Sequence, residues 1–124
     1  MAEGKELGEF SLKITTLTYT PGPAGSVLVQ ANCEGTAVGQ GALLGTATFV
    51  SAGMKSATFS WCGATYLDNG DSITGTGQGT IESIGRHKWR SQGFNHLSDG
   101  HTIRIDGEID LATRSWVGKW YEWS

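Results

Sequence analysis

Glu122 and Asn95 are the residues best suited by type and setting to chemistry, because alternation puts each on a strand face shared with tryptophan or isoleucine. A carboxylate set beside indoles loses hydration, which moves its pKa up towards a range useful for proton transfer. A neighbouring amide holds a water or orients a substrate carbonyl. The competing reading leaves Glu122 in solvent at the end of the last strand. The histidines do not make a metal site by spacing: His87, His96 and His101 are not two ligands on one helical turn, and no cysteine pair accompanies them. They read as rim or surface residues, with His87 at the opposite end from Glu122. Nothing near Cys33 depresses its pKa, so it reads as a small buried thiol. There is no Gly-x-Ser-x-Gly elbow. Gly75-Thr76-Gly77-Gln78-Gly79 lacks the lysine and helix of a phosphate loop and reads as strand packing. No metal and no cofactor are expected.

The elements that must position these residues are strands. Turn signals fall at Pro21-Gly22-Pro23-Ala24-Gly25, Gly39-Gln40-Gly41, Ala52-Gly53, Asp68-Asn69-Gly70, Gly85-Arg86, Ser98-Asp99-Gly100 and Thr113-Arg114. Glycine, asparagine and aspartate tolerate the positive φ that tight hairpins need. Between them lie eight strands, over about 8–20, 26–38, 42–51, 56–67, 71–83, 87–97, 101–112 and 115–123. No segment carries a helical stripe. Short loops pair neighbours in order, so the fold class is all-β: an eight-stranded antiparallel up-and-down meander that closes into a barrel. The 124 residues make one domain, with 1–7 as a flexible N-terminal arm.

Hairpin registers test the alternation. A two-residue turn at Thr113-Arg114 sets Leu111 opposite Trp116, Ile109 opposite Gly118, Gly107 opposite Trp120 and Ile105 opposite Glu122. The other face then pairs Glu108 with Lys119 and Asp106 with Tyr121. Three-residue turns at Asp68-Asn69-Gly70 and Ser98-Asp99-Gly100 set Phe59 opposite Gly79, Trp61 opposite Gly77, Ala57 opposite Ile81, Gly93 opposite Ile105, Asn95 opposite Ile103 and Trp89 opposite Ile109. Large rings opposite glycine fit a narrow barrel. The registers of the first three strands stay open by one residue, and such a slip turns a strand inside out.

The inward set is then Val27, Val29, Ala31, Cys33, Phe59, Trp61, Ile73, Ile81, Trp89, Asn95, Ile103, Ile105, Ile109, Trp116, Trp120 and Glu122. These residues make either a plugged core or an aromatic-lined internal cavity, and the polar members favour the cavity. Its binding wall would be Cys33, Phe59, Trp61, Trp89, Ile105, Trp116 and Trp120. On the outer face, Tyr121 and Trp123 mark either a contact in a homo-oligomer or local packing against the N-terminal arm.

Composition narrows the partners. The formal net charge is −3 and no basic stripe stands out, so nucleic acid and anionic lipid are not expected partners. No run approaches the roughly 20 apolar residues of a membrane span. Residues 1–10 lack the apolar centre of a secretory signal, and Cys33 and Cys62 read as free thiols of a cytoplasmic protein.

The meander, the Gly-x-Gly-x-Gly strand and the length resemble the allene oxide cyclase-like barrel group, which includes bacterial proteins with no assigned function. The resemblance implies a calycin-like or allene oxide cyclase-like barrel with a hydrophobic cavity. It further implies an inward glutamate and an asparagine-held water acting on a lipid-derived substrate. Glu122 and Asn95 match in type but lie on late strands. Glu34 and Asn32 match in position, on an early strand, although alternation turns them outward unless that strand has slipped. The expectation is a cofactor-independent isomerase, cyclase or lyase acting on a small hydrophobic molecule. The rival is a lipocalin-like or avidin-like carrier with the same wall and no chemistry.

Overall fold

The computed structural model describes residues 4–51, 53 and 55–123. It contains β1 (Glu6–Pro21), a short 3-10 turn (Pro23–Gly25), β2 (Val27–Ala37), β3 (Gly41–Ser51), β4 (Ser56–Leu67), β5 (Ser72–Gly85), β6 (Lys88–Leu97), β7 (Thr102–Asp110) and β8 (Ser115–Glu122). Each strand pairs antiparallel with the next, and β1 pairs with β8, so the meander closes into a barrel. Closure satisfies the backbone of both terminal strands, which an open sheet would leave as bare edges.

Alternation decides which face is dry. Along β2, Val29, Ala31 and Cys33 are buried while Gln30, Asn32 and Glu34 are exposed. On the outer side, Asn32 donates to Thr16 Oγ1 at 2.7 Å and accepts from Thr46 Oγ1 at 2.8 Å. These bonds tie β2 to both neighbours, and the second strand has not slipped. Trp61, Trp89 and Trp116 are buried and Trp120 is half-buried against the same core, so all four face inward. Val27, also expected inside, is 40% exposed because it opens the strand next to the 3-10 turn.

The two three-residue turns form as expected. Gly70 and Gly100 have φ of 99° and 94°, and their N–H groups donate to the Leu67 and Leu97 carbonyls, both at 3.0 Å. Only a residue without a Cβ takes that conformation cheaply. The registers that follow set Phe59 opposite Gly79, Trp61 opposite Gly77 and Asn95 opposite Ile103.

Three expectations are corrected. The last hairpin turns through four residues, Leu111 to Arg114, with Arg114 at φ 55°. Its register therefore moves by two: Ile109 faces Trp116, Gly107 faces Gly118, Ile105 faces Trp120 and Ile103 faces Glu122. An even shift keeps every side chain on its expected face. On the outer side Asp106 now faces Lys119 and Glu108 faces Val117. Second, His87 belongs to the β5–β6 turn, at φ 57°, and β6 begins at Lys88. Third, β1 already starts at Glu6, and the Lys5 carbonyl accepts from the Glu122 N–H at 2.9 Å. Part of the expected arm is thus wall, and 1–3 lie outside the described residues. The Ala52-Gly53 turn also falls there in part, since 52 and 54 are not described.

β1 carries a bulge between Ile14 and Thr16. Phe10, Leu12 and Ile14 are buried before it, whereas after it Leu17 packs half-buried on the core and Tyr19, largely exposed, borders the small end cavity. The extra residue changes the inward parity from even to odd.

The core gathers at the waist around Trp116, 2% exposed. Its ring centroid lies 5.5 Å from Phe59, 5.9 Å from Phe49, 5.9 Å from Trp61 and 6.5 Å from Phe10. Its indole N–H donates to Ser91 Oγ at 3.0 Å, and Ser91 is fully buried. The facing glycines Gly107 and Gly118 leave room for the Phe10 ring, which a Cβ at either position would crowd.

Candidate functional site

The Trp116 cluster divides the barrel into two unequal ends. At the end carrying the β4–β5 and β6–β7 turns, a recess of about 440 Å³ opens, with Phe59, Trp61, Ile103, Ile105 and Trp116 at its base and wall. The other end holds only about 60 Å³, between Leu17, Trp89, Leu111 and their neighbours.

Trp61 makes its side of the recess possible through glycine. A Cβ at Gly45 or Gly63 would run into the Trp61 indole, so the ring lies flat over both strands. Gly77 does the same for Asn95, whose amide oxygen occupies the space a Cβ at 77 would need. Asn95 is half-buried, lines the recess and makes no side-chain hydrogen bond to another described residue. An amide in an apolar wall has four hydrogen-bonding positions to offer a guest or a water.

Asn95 and Glu122 lie in one row, both opposite Ile103, so they flank the same residue from its two sides. The two-residue register correction draws them closer together than the sequence suggested. Glu122 lines the recess but is exposed at its rim. The expectation of a dehydrated acid deep among tryptophans is corrected: β8 ends at this row, so an inward direction here still meets water.

The remaining candidates divide. Phe59, Trp61, Ile105, Trp116 and Trp120 line the recess. Trp89 lines the small opposite cavity. Cys33 packs within the core cluster and touches neither space; burial pushes its thiol up to about 12, so it is neutral and unreactive. Glu34 is exposed on the outer face and Asn32 is held in the outer hydroxyl network, so neither reaches the interior.

The three histidines are exposed: His87 in its turn, His96 against Thr102 Oγ1 at 3.1 Å, and His101 at the recess rim. Among the described residues no three metal-binding side chains converge. Cys33 and Cys62 are both free. Tyr121 packs on the outer wall with Arg104 4.2 Å above its ring, while Trp123, just past the end of β8, borders the recess rim with Phe94 edge-on to it at 4.7 Å. Tyr121 also lies opposite Glu6 in the β1–β8 ladder, so the segment expected as an arm is its neighbour, held there as a strand.

Sequence reasoning missed Phe10, Leu12, Leu43, Leu97, Asp99 and Trp123 in the recess lining. For Phe10 and Leu12 the signal was present, as Phe10-Ser11-Leu12-Lys13-Ile14 alternates cleanly. Asp99 was read only as a turn residue. It accepts from the His101 backbone N–H at 3.0 Å, the chief reason its carboxyl sits below the ordinary value, and it pairs with His101 Nδ1 at 3.1 Å.

No protein-family model matches the chain, and no curated protein or solved structure matches it. Fold and site define a closed eight-stranded meander barrel with an aromatic waist and one roomy end. Among the described residues no helix is long and apolar enough to cross a membrane.

Proposed function

We propose that the chain binds a small, mostly apolar molecule in the recess above Trp116. The observation that carries this reading is the asymmetry of the interior: about 440 Å³ on one side of the waist against about 60 Å³ on the other. A barrel serving only as a packed scaffold has no reason to leave one end so open. The volume falls in the range of small-molecule sites, the wall is apolar and aromatic, and Asn95 supplies one orienting polar group. The resemblance to allene oxide cyclase-like barrels agrees with this reading.

Titration with the neutral probe N-phenyl-1-naphthylamine tests it. At about 0.3–0.5 kcal/mol per non-hydrogen atom, a ligand of its size binds with a Kd of roughly 1–200 μM. The expected result is saturable probe fluorescence at one site per chain. Ile73→Trp, which adds a ring to the recess wall, is expected to weaken binding at least tenfold while the circular dichroism stays that of the parent. Absence of saturable binding to the parent protein refutes the proposal.

Catalysis in the same recess, as an isomerase, cyclase or lyase, is the second reading, and the shared row of Asn95 and Glu122 favours it. The exposure of Glu122 speaks for binding first. If turnover of an apolar substrate is found, its loss in Glu122→Gln with the ligand still bound supports catalysis. Unchanged turnover removes Glu122 from it.

A further inference from the structure

Resting on the proposed ligand site, we infer that the preferred guest carries a protonated amine on its apolar body, and that carboxylates are rejected. The charge around the recess is one-sided. Among the described residues its lining includes two carboxylates, Asp99 from the β6–β7 turn and Glu122 from the end of β8, and no lysine or arginine. His101 is the one basic group among the described lining residues, and its Nδ1 lies 3.1 Å from Asp99, so the two offset each other when the imidazole is protonated and Glu122 carries the acidic character of the rim. The nearby cations are engaged or turned elsewhere. Lys119 pairs with Glu6 at 3.5 Å on the outer face, and Arg104 stacks over Tyr121. Lys5 meets Glu122 through its backbone carbonyl and does not line the recess.

The aromatic setting adds to the charge. Trp120 and Trp123, on either side of Glu122 in sequence, both line the recess. Trp120 stacks on Phe10 with centroids 6.5 Å apart and planes 15° off parallel, and Trp123 is held edge-on by Phe94. A cation near Glu122 therefore meets a carboxylate with two indoles close by in the same lining, and an indole attracts positive charge over its face through the ring quadrupole. A carboxylate head in the same place meets the like charge of Glu122, with Asp99 also on the rim. Across Ile103 in the same row, Asn95 accepts from or donates to whatever polar group the body carries. Apolar volume below, and an amide and a carboxylate in one row beside the indoles of the rim, together describe an aryl- or alkyl-amine.

Displacement of N-phenyl-1-naphthylamine by three compounds sharing one ring system tests the inference: 1-naphthylmethylamine, 1-naphthylmethanol and 1-naphthoate, at pH 7 and low salt. The expected order is amine, alcohol, acid, with about fivefold between the first two and at least tenfold between amine and acid, as two partly solvated charges provide. The preference shrinks as salt is raised to 0.5 M. In Asp99→Asn/Glu122→Gln the amine-to-alcohol ratio falls to near one. Equal affinities for amine and acid, or a preference for the acid, overturn the amine assignment while leaving the apolar site standing. If neither the probe nor any of the three binds, the site itself is refuted. A preference that survives the double substitution unchanged also overturns the inference, because the rim carboxylates would then not be its source.

Discussion

Replacing Ser91 with alanine isolates one polar contact at the centre of the barrel. Ser91 is fully buried and Trp116 is 2% exposed, so no solvent replaces the hydroxyl that accepts the indole N–H at 3.0 Å. The substitution leaves a buried donor without a partner, which costs about 1–3 kcal/mol. In a chain of this size that lowers Tm by roughly 3–6 °C per kcal/mol. Urea unfolding followed by far-UV circular dichroism measures it, because that signal survives the loss of a tryptophan. Trp116→Phe supplies the second arm. It removes the donor, so Ser91→Ala in that background is expected to cost less than about 0.5 kcal/mol and gives a coupling of about 0.5 kcal/mol or more. Equal losses in the two backgrounds would refute the hydrogen bond as the source. The effect would then belong to packing around the serine, and the waist would be held by ring contacts alone.

Thiol chemistry offers a second check. Cys62 is exposed and Cys33 is buried with its pKa pushed up to about 12, so an aromatic disulfide reagent at pH 8 should modify one thiol quickly and the second only after unfolding. Two fast thiols would show that β2 does not face Cys33 inward. A third prediction concerns acid stability. The Arg90 guanidinium bonds Asp106 at 2.8 and 3.2 Å and holds its carboxyl below the ordinary value, with Arg104 adding to the effect. Its contribution is complete above about pH 4 and disappears as the pH falls through the depressed value. Because the pair is partly solvated, Asp106→Asn should cost no more than about 1 kcal/mol at pH 7 and flatten the stability loss below pH 4. An unchanged acid limb in urea midpoints taken from pH 7 to 2 would contradict it.

The legible parts of the fold were those where one residue type is forced. Gly70 and Gly100 mark their turns because the positive φ there excludes most side chains, and the registers of β4–β5 and β6–β7 follow from them. The β7–β8 turn has no glycine; Arg114 takes the left-handed conformation itself, so its length was not written in composition. Inward direction was readable for Glu122 but depth was not, since alternation says nothing about how near a row lies to the rim. Cys33 and Trp89 show the same gap: both face the dry interior, yet one packs in the core and the other faces the small end. The acidic rim was hidden because Asp99 serves first as a turn former.

The irregularity in β1 bears on what lengths this wall tolerates. β1 follows β2 as far as Pro21 but leaves β8 at Lys13, so the surplus residue sits where the strand parts from one neighbour and keeps the other. Thr15 acts there as slack in the chain. Excising it would straighten the ribbon while Phe10, Leu12, Ile14 and Leu17 all kept their inward aim, at the cost of its bond to the Asn32 carbonyl. The same excision in the middle of any evenly paired strand would reverse everything beyond it, so one-residue length changes should be absorbed at this point more readily than within the evenly paired stretches of the barrel.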